Sequence, residues 1–319
     1  MISRRTRRSV GRRAVLRAGA LGLPALLVAC GPQAGAGPGQ TRKEYVVAPI
    51  LGAYGRLEED ISRGQPLAEF LARETGLAVR AYPPGDYARS MIGLKDGSLD
   101  FAFLPALLYL RARDESGVEP MFRTLRPGVD GRPVAAFAAM IAVRADSGIN
   151  SVADLKGKRV VATDASDAAG WVMPAAHLKK NGLDPFRDVT VEYRRDGADA
   201  LIQVLNRKAD AAFAARQDLA SDAVTKADPD AARTLKLLAT IEGAPLEVVT
   251  ARRGLDSRVL EKFRAAFKNL ADPQKGVFTR DGKTQPILAQ WGVSGLQEAK
   301  DADFTALREA AKSIGIKLK

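Results

Sequence analysis

The sequence is poor in the residues that build metal centres and covalent catalysts. Of its 319 residues one is cysteine, Cys30, and one is histidine, His177. A disulfide framework and any multi-cysteine or multi-histidine zinc site are therefore excluded, and a Ser–His–Asp triad has only His177 to draw on. That histidine stands beside Lys179 and Lys180, which reads as a surface position. Acidic residues are absent from residues 1–30, which hold seven arginines. Beyond that segment the net charge of +12 shrinks, because the remainder carries 42 basic and 37 acidic side chains, a net of +5. Such a surface is ordinary and disfavours nucleic acid as a partner. What is present, 46% hydrophobic and 27% charged residues, is a globular composition long enough for two ordinary domains.

Residues 1–30 read as a signal peptide. The arginine-rich start precedes an apolar stretch from Ala18 to Ala29, shorter than the roughly 20 residues that a bilayer span needs. It ends in Leu27-Val28-Ala29-Cys30, which resembles the lipobox of bacterial lipoproteins; cleavage there exposes Cys30 for lipid attachment. Arg12-Arg13-Ala14-Val15-Leu16-Arg17 resembles a twin-arginine export motif, with Gly11 where Ser or Thr is usual. Residues 31–41, rich in Gly, Ala and Pro, form a flexible tether. The folded body is expected to begin near Arg42, outside the cytoplasm.

Two stretches of that body share one pattern. Tyr45–Ala48 is a strand candidate, Leu67, Phe70 and Leu71 recur at helical spacing, and Leu77–Tyr82 is a second strand. Asp86 caps a helix that carries Tyr87, Met91 and Leu94 on one face and stops at Gly97, and Leu99–Leu104 is a third strand. The β-α-β-α-β order returns with strands at Lys158–Thr163, Val189–Tyr193 and Ala209–Ala214, and helices near Ala168–Lys180 and Ala198–Asn206. Gly97-Ser98-Leu99-Asp100-Phe101-Ala102-Phe103 even looks like Arg207-Lys208-Ala209-Asp210-Ala211-Ala212-Phe213. Strands alternating with helices predict an α/β fold of two lobes, each a mostly parallel sheet flanked by helices. Val134–Val143 crosses from the first lobe to the second, and Glu247–Thr250 crosses back. The lobes are thus expected at 42–140 with 246–319 and at 141–245. The tail helices, one with Leu260, Phe263 and Phe267 and one with Phe304, Leu307, Ala311 and Ile314, complete the first lobe. Ligands of such sheets sit beyond the carboxyl ends of the strands, here in the cleft between two hinged lobes.

Pro66–Leu71 with Glu74-Thr75-Gly76, Asp86-Tyr87, Gly97–Ala102, Ala145–Ile149 with Asp154–Lys158, and Leu178–Pro185 follow one another in an order and spacing that resemble the phosphate, phosphite and phosphonate-binding proteins of ABC importers. The resemblance runs from about Tyr45 to Leu318. It implies a type II periplasmic-binding fold hinged by two crossover strands, with no catalysis and no cofactor. It also implies a small-molecule ligand and a membrane permease as partner; the lipobox adds a lipid anchor to the cell envelope, and a monomer is expected. In that family a Ser-Thr-Ser-Gly turn wraps phosphate oxygens at a helix N-terminus. The aligned residues here are Asp167-Ala168-Ala169-Gly170, without the hydroxyls. The family's following His-Asp pair falls on Gly197 and Ala198, with Asp199 one position on. Its Gly-Pro-x-x-Tyr becomes Leu104-Pro105-Ala106-Leu107-Leu108, with Tyr109 one place late.

The candidate ligand-binding set is therefore Tyr54, Tyr109, Asp167, Ala168, Ala169, Gly170, Trp171, Asp199, Arg216 and Gln217, with Cys30 as the lipidation site. Asp167 has two readings: it caps its own helix, or it meets a neutral polyhydroxy or cationic ligand. Trp171 reads as core packing or as a stacking platform. Arg194-Arg195 reads as a solvated pair. Two other functions remain open, a ligand-sensing subunit for a membrane kinase and an exported enzyme using only carboxylates such as Asp164, Asp167, Asp196 and Asp199.

Overall fold

The repeated strand–helix order is realised twice. The computed structural model describes residues 44–50, 57–82 and 85–318, with side chains in the first helix from Ile61 onward. The export segment, the tether, Cys30 and Tyr54 lie outside the described residues. The first run is β1 (Tyr45–Ala48), α1 (Leu57–Thr75), β2 (Val79–Ala81), α2 (Tyr87–Asp96) and β3 (Phe101–Pro105). After α3 (Ala106–Ser116), β4 (Glu119–Pro127) and β5 (Pro133–Val134), the long β6 (Ala136–Arg144) leads to the second run. That run is β7 (Arg159–Ala162), a π-turn at Ala168–Val172 continuing into α4 (Met173–Lys180), β8 (Thr190–Tyr193), α5 (Gly197–Leu205) and β9 (Ala211–Ala215). Short helices α6 (Asp222–Ala227) and α7 (Ala231–Thr234) precede β10 (Leu235–Pro245) and β11 (Glu247–Ala251). The tail holds α8 (Ser257–Ala271), the hairpin β12 (Val277–Arg280) and β13 (Lys283–Pro286), then β14 (Gly295–Glu298) and α9 (Thr305–Ser313).

One aspartate in each look-alike stretch explains why the stretches look alike. Asp100, fully buried before β3, accepts the backbone N–H of Val46 in β1 at 2.8 Å and the Arg252 Nε–H at 2.8 Å. Asp210, before β9, accepts the backbone N–H of Arg159 in β7 at 2.8 Å. Each carboxylate thus staples the third strand of its run beside the first, and at Val46 the N–H it satisfies is buried. Asp86 and Asp196 repeat one another too, capping α2 and α5 through the N–H groups of Arg89 and Asp199. Gly97 ends α2 at φ 83°, and its counterpart Arg207 adopts the same left-handed backbone at φ 58°.

The runs build separate sheets, ordered β14-β4-β11-β3-β1-β2 and β10-β6-β9-β7-β8. In each, the three strands of the repeat are parallel, β2-β1-β3 and β8-β7-β9. The expectation of mostly parallel sheets needs correcting beyond these trios. β11 and β6 enter antiparallel to β3 and β9, and β4, β14 and β10 extend the antiparallel side. β6 and β11 arrive directly from the other sheet and not through a crossover helix, the connection that parallel pairing needs.

Phe101, Phe263 and Phe267 centre the outer core of the first lobe, with the Phe101 and Phe263 rings 4.2 Å apart. Asp256 caps α8, whose Val259, Phe263, Phe267 and Leu270 form the buried face. α9 departs from the expected place. Its Leu307 and Ala311 share one core with residues of both sheets, and the helix packs on α3 of the first lobe and on α4 and the π-turn of the second.

The two crossings lie side by side, the Leu246 N–H donating to the Ala135 carbonyl at 3.4 Å. Beside them Glu247 takes Arg126 Nη2–H at 2.7 Å and the Thr124 hydroxyl at 2.7 Å. Burial alone would raise the Glu247 carboxyl; the guanidinium and the hydrogen bonds outweigh it and hold the group below its ordinary value. Removing one partner of such a pair strands the other charge. Glu247→Gln is expected to cost about 3 kcal/mol of unfolding free energy in urea titration at pH 7. A cost below about 0.5 kcal/mol would show that the clamp is only a surface pair.

Candidate functional site

The carboxyl ends of the parallel strands in both sheets face one open cleft of about 2040 Å³. The first lobe lines it with residues after β1, β2 and β3, among them Ile50, Asp86, Pro105 and Leu108; the second does so with the turns after β7, β8 and β9. Glu247, Pro245 and Leu246 at the return crossing also line it, so the cleft opens directly onto the hinge.

Asp167 is the centre of the second-lobe wall. One oxygen accepts the N–H groups of Ala169 at 2.9 Å and Gly170 at 3.1 Å, and the other takes the Thr163 hydroxyl at 2.7 Å. The carboxylate therefore occupies the helix pole from within the chain. Burial raises its proton affinity against these three donors, and Asp164 adds to the rise. Gly170 is required here because a Cβ would fall 1.9 Å from Thr163 Oγ1. Ala168 and Ala169 line the cleft and present methyl groups only. Trp171, 1% exposed, also lines it while packing edge-on to Phe186 and Tyr193 with centroids 5.6 and 5.5 Å away.

The other candidates divide. Asp199 and Gln217 line the cleft. Asp199 takes a hydrogen bond from Gln203 at 2.9 Å, whereas Gln217 Nε2 is buried with no partner within the chain. Tyr109 is not a cleft residue: it is fully buried, stacked near Phe304 at 4.8 Å, and its hydroxyl donates to Asp301 at 3.2 Å. The one-place delay after Pro105 turns the side chain about 100° round α3, away from the cleft and into the core. Arg216 is exposed and lies outside the lining. Arg194 and Arg195, read as a solvated pair, both line the cleft, with Arg194 held by Glu192 at 2.6 Å.

One residue escaped the sequence reading. Asp218, in the turn after β9, accepts the Ala215 N–H at 2.9 Å and faces the cleft. It fits only because Gly197 has no side chain; a Cβ there would fall 1.9 Å from Asp218 Oδ2. The readable signal was its place just after the third strand of the run, beside Gln217. Burial, then the charges of Asp167 and Asp196, push its carboxyl up to about 7 against the Ala215 hydrogen bond. Among the described residues no group of three or more His, Cys, Asp or Glu is gathered to hold a metal ion.

A carboxyl titrating near 7 in the folded chain and near 4 unfolded binds its proton more tightly when folded. Its contribution to stability is complete below about pH 4 and is lost as the pH rises through 7. Asp218→Asn keeps an acceptor for Ala215 and removes that loss. The variant is expected to match the parent at pH 4 and to exceed it by roughly 2–4 kcal/mol at pH 8, from about 1.4 kcal/mol per pKa unit. Denaturant titrations at the two pH values check this; an equal gap at both would contradict the assignment.

With the site in view, comparison with known proteins becomes specific. Residues 58–304 match the family described as the periplasmic substrate-binding protein of phosphonate ABC transporters. The phosphate-import protein PhnD of Mycolicibacterium smegmatis is 24% identical over 264 residues, covering 78% of this chain and 80% of that one. The tetrathionate sensor histidine kinase TtrS of Salmonella typhimurium is 28% identical over 149 residues, which are 46% of this chain and 25% of that protein. The Xanthomonas citri protein XAC2383, solved with ATP, superposes with a TM-score of 0.67 at 18% identity, covering 86% of this chain and 97% of that one. That likeness shows the fold, a two-lobed type II periplasmic-binding architecture. The chain belongs to the family of periplasmic substrate-binding proteins of phosphonate ABC transporters.

Proposed function

We propose that the protein is a lipid-anchored solute receptor that captures a small ligand by lobe closure and delivers it, as a monomer, to an ABC permease. The observation that carries this reading is the shared cleft, built from the strand ends of two sheets and bordered by paired crossings that can bend together. The lobes are taken as residues 42–135 with 246–319, and 136–245. The first boundary moves from 140/141 because β6 pairs with β10 along its whole length. Residues 1–29 are the cleaved leader, using the twin-arginine route, and Cys30 carries the lipid that holds the body at the envelope. No catalytic step is assigned to the cleft. The similarity to a sensor kinase favours a second reading, in which the closed lobes signal to a membrane kinase.

Phosphonate is a poor fit to this particular cleft. The helix N–H groups of Ala169 and Gly170 already serve Asp167. Each charge-assisted hydrogen bond withheld from an anion forfeits about 1.5–3 kcal/mol. A carboxylate about 4 Å away adds roughly 4 kcal/mol of repulsion per charge pair at an effective dielectric near 20. Together these consume the ~8 kcal/mol behind a micromolar complex.

Three measurements test the reading. Small-angle scattering of protein purified with its native ligand, against protein stripped of it, should show compaction, with mass spectrometry identifying what is released. Unchanged dimensions would remove the capture mechanism. Cys30→Ser should release the protein from membranes, and full retention would remove the anchor. In calorimetry methylphosphonate should bind more weakly than micromolar, and exchanging Asp167-Ala168-Ala169 for Ser-Thr-Ser should tighten it.

A further inference from the structure

The second-lobe wall of the cleft is electrically and chemically lopsided. It holds five carboxylates, those of Asp164, Asp167, Asp196, Asp199 and Asp218, against the two guanidiniums of Arg194 and Arg195. Both arginines are spoken for within the chain, by Glu192 and by Asp196. On the facing wall Arg111 is engaged by Glu115 at 2.8 Å and Arg126 by Glu247 at 2.7 Å. Among the described residues, Asp164, Asp167, Asp199 and Asp218 have no ion pair within 4 Å. Four of the five second-lobe carboxylates are thus without cations, while Arg111, Arg126, Arg194 and Arg195 have acids.

An aromatic surface adjoins the acid. Trp171 is enclosed by Phe186 and Tyr193, and these two large side chains remain 59% and 46% exposed on the cleft wall. Asp164 stands close enough to Tyr193 to raise its hydroxyl, in addition to the effect of burial. Carboxylates beside exposed aromatic faces stabilise an organic ammonium by charge and by the ring quadrupole together. Independently, Trp291 lines the cleft from the first lobe, is 8% exposed, and its Nε1–H has no partner within the chain. Gln217 Nε2 and Arg194 Nε are buried donors in the same condition. Buried N–H groups left unmatched ask for acceptor oxygens on whatever fills the cleft.

Resting on the solute-capture reading, we infer that the ligand is a small organic ammonium ion bearing acceptor oxygens. Its cationic head lies against Asp164, Asp167 and Asp218 beside Phe186 and Tyr193, and its oxygens meet Trp291 and Gln217.

Choline and glycine betaine probe this directly by calorimetry at pH 8, with methylphosphonate and inorganic phosphate as anionic controls. At least one ammonium probe should bind saturably below millimolar concentration. Asp218→Asn and the exposed Asp164→Asn should each weaken it tenfold or more while thermal unfolding shows both variants folded. Binding unchanged in both variants would overturn the placement of the cation. Saturable binding of methylphosphonate or phosphate without either ammonium overturns the inference and leaves solute capture standing. No binding of any probe at 10 mM also overturns it. If scattering of the natively purified protein then shows no compaction either, the capture reading falls separately.

Discussion

A helix pole inside a cleft must be answered by something, and here Asp167 answers it. Its carboxylate joins the end of β7, through Thr163, to the first N–H groups of the π-turn. That junction sets the floor of the second lobe. It dictates a glycine at 170, seats Trp171 between Phe186, Tyr193 and Phe213, and places a buried negative charge next to Asp218. Two neighbouring carboxyls in a dry wall do not both ionise freely, and Asp218 retains its proton to about 7. One internal hydrogen-bonded carboxylate thereby turns an anion-attracting pole into a surface that favours cations.

Much of the architecture was legible because a few local rules govern it. Asp86 announces a helix start, Gly97 a helix stop, and the apolar stretches after Asp100 and after Asp210 the central strands. The likeness of the stretches around Asp100 and Asp210 reflects a shared strand-stapling bond, which is why it survives where the neighbouring residues differ. Strand direction beyond the parallel trios was not legible, since whether β6 and β11 enter parallel or antiparallel depends on where the other sheet stands. The place of α9 was hidden for the same reason. Its apolar face is plain in Phe304, Leu307 and Ala311, but nothing local says that two lobes share it.

In the site, Asp167, Asp199 and Gln217 could be placed by following the strand ends. Tyr109 was misplaced because proximity in sequence to Pro105 says nothing about which side of α3 faces the cleft. Asp218 has a readable place after the third strand, but its burial depends on the missing side chain at Gly197, twenty-one residues earlier, which only the folded chain brings opposite. Long-range complementarity of that kind leaves no periodic trace.

The shared helix α9 has a mechanical consequence. Two adjacent crossings by themselves permit both bending and twisting, as a strip of cloth does. A third tie, with Phe304, Leu307 and Ala311 packed against both lobes, works against the twist and favours rotation about one line. Ile316, Lys317 and Leu318, just beyond that tie, form part of the cleft rim. In the closure proposed above, residues 316–318 travel with this tie, so a door hung on these pins meets its frame in one alignment.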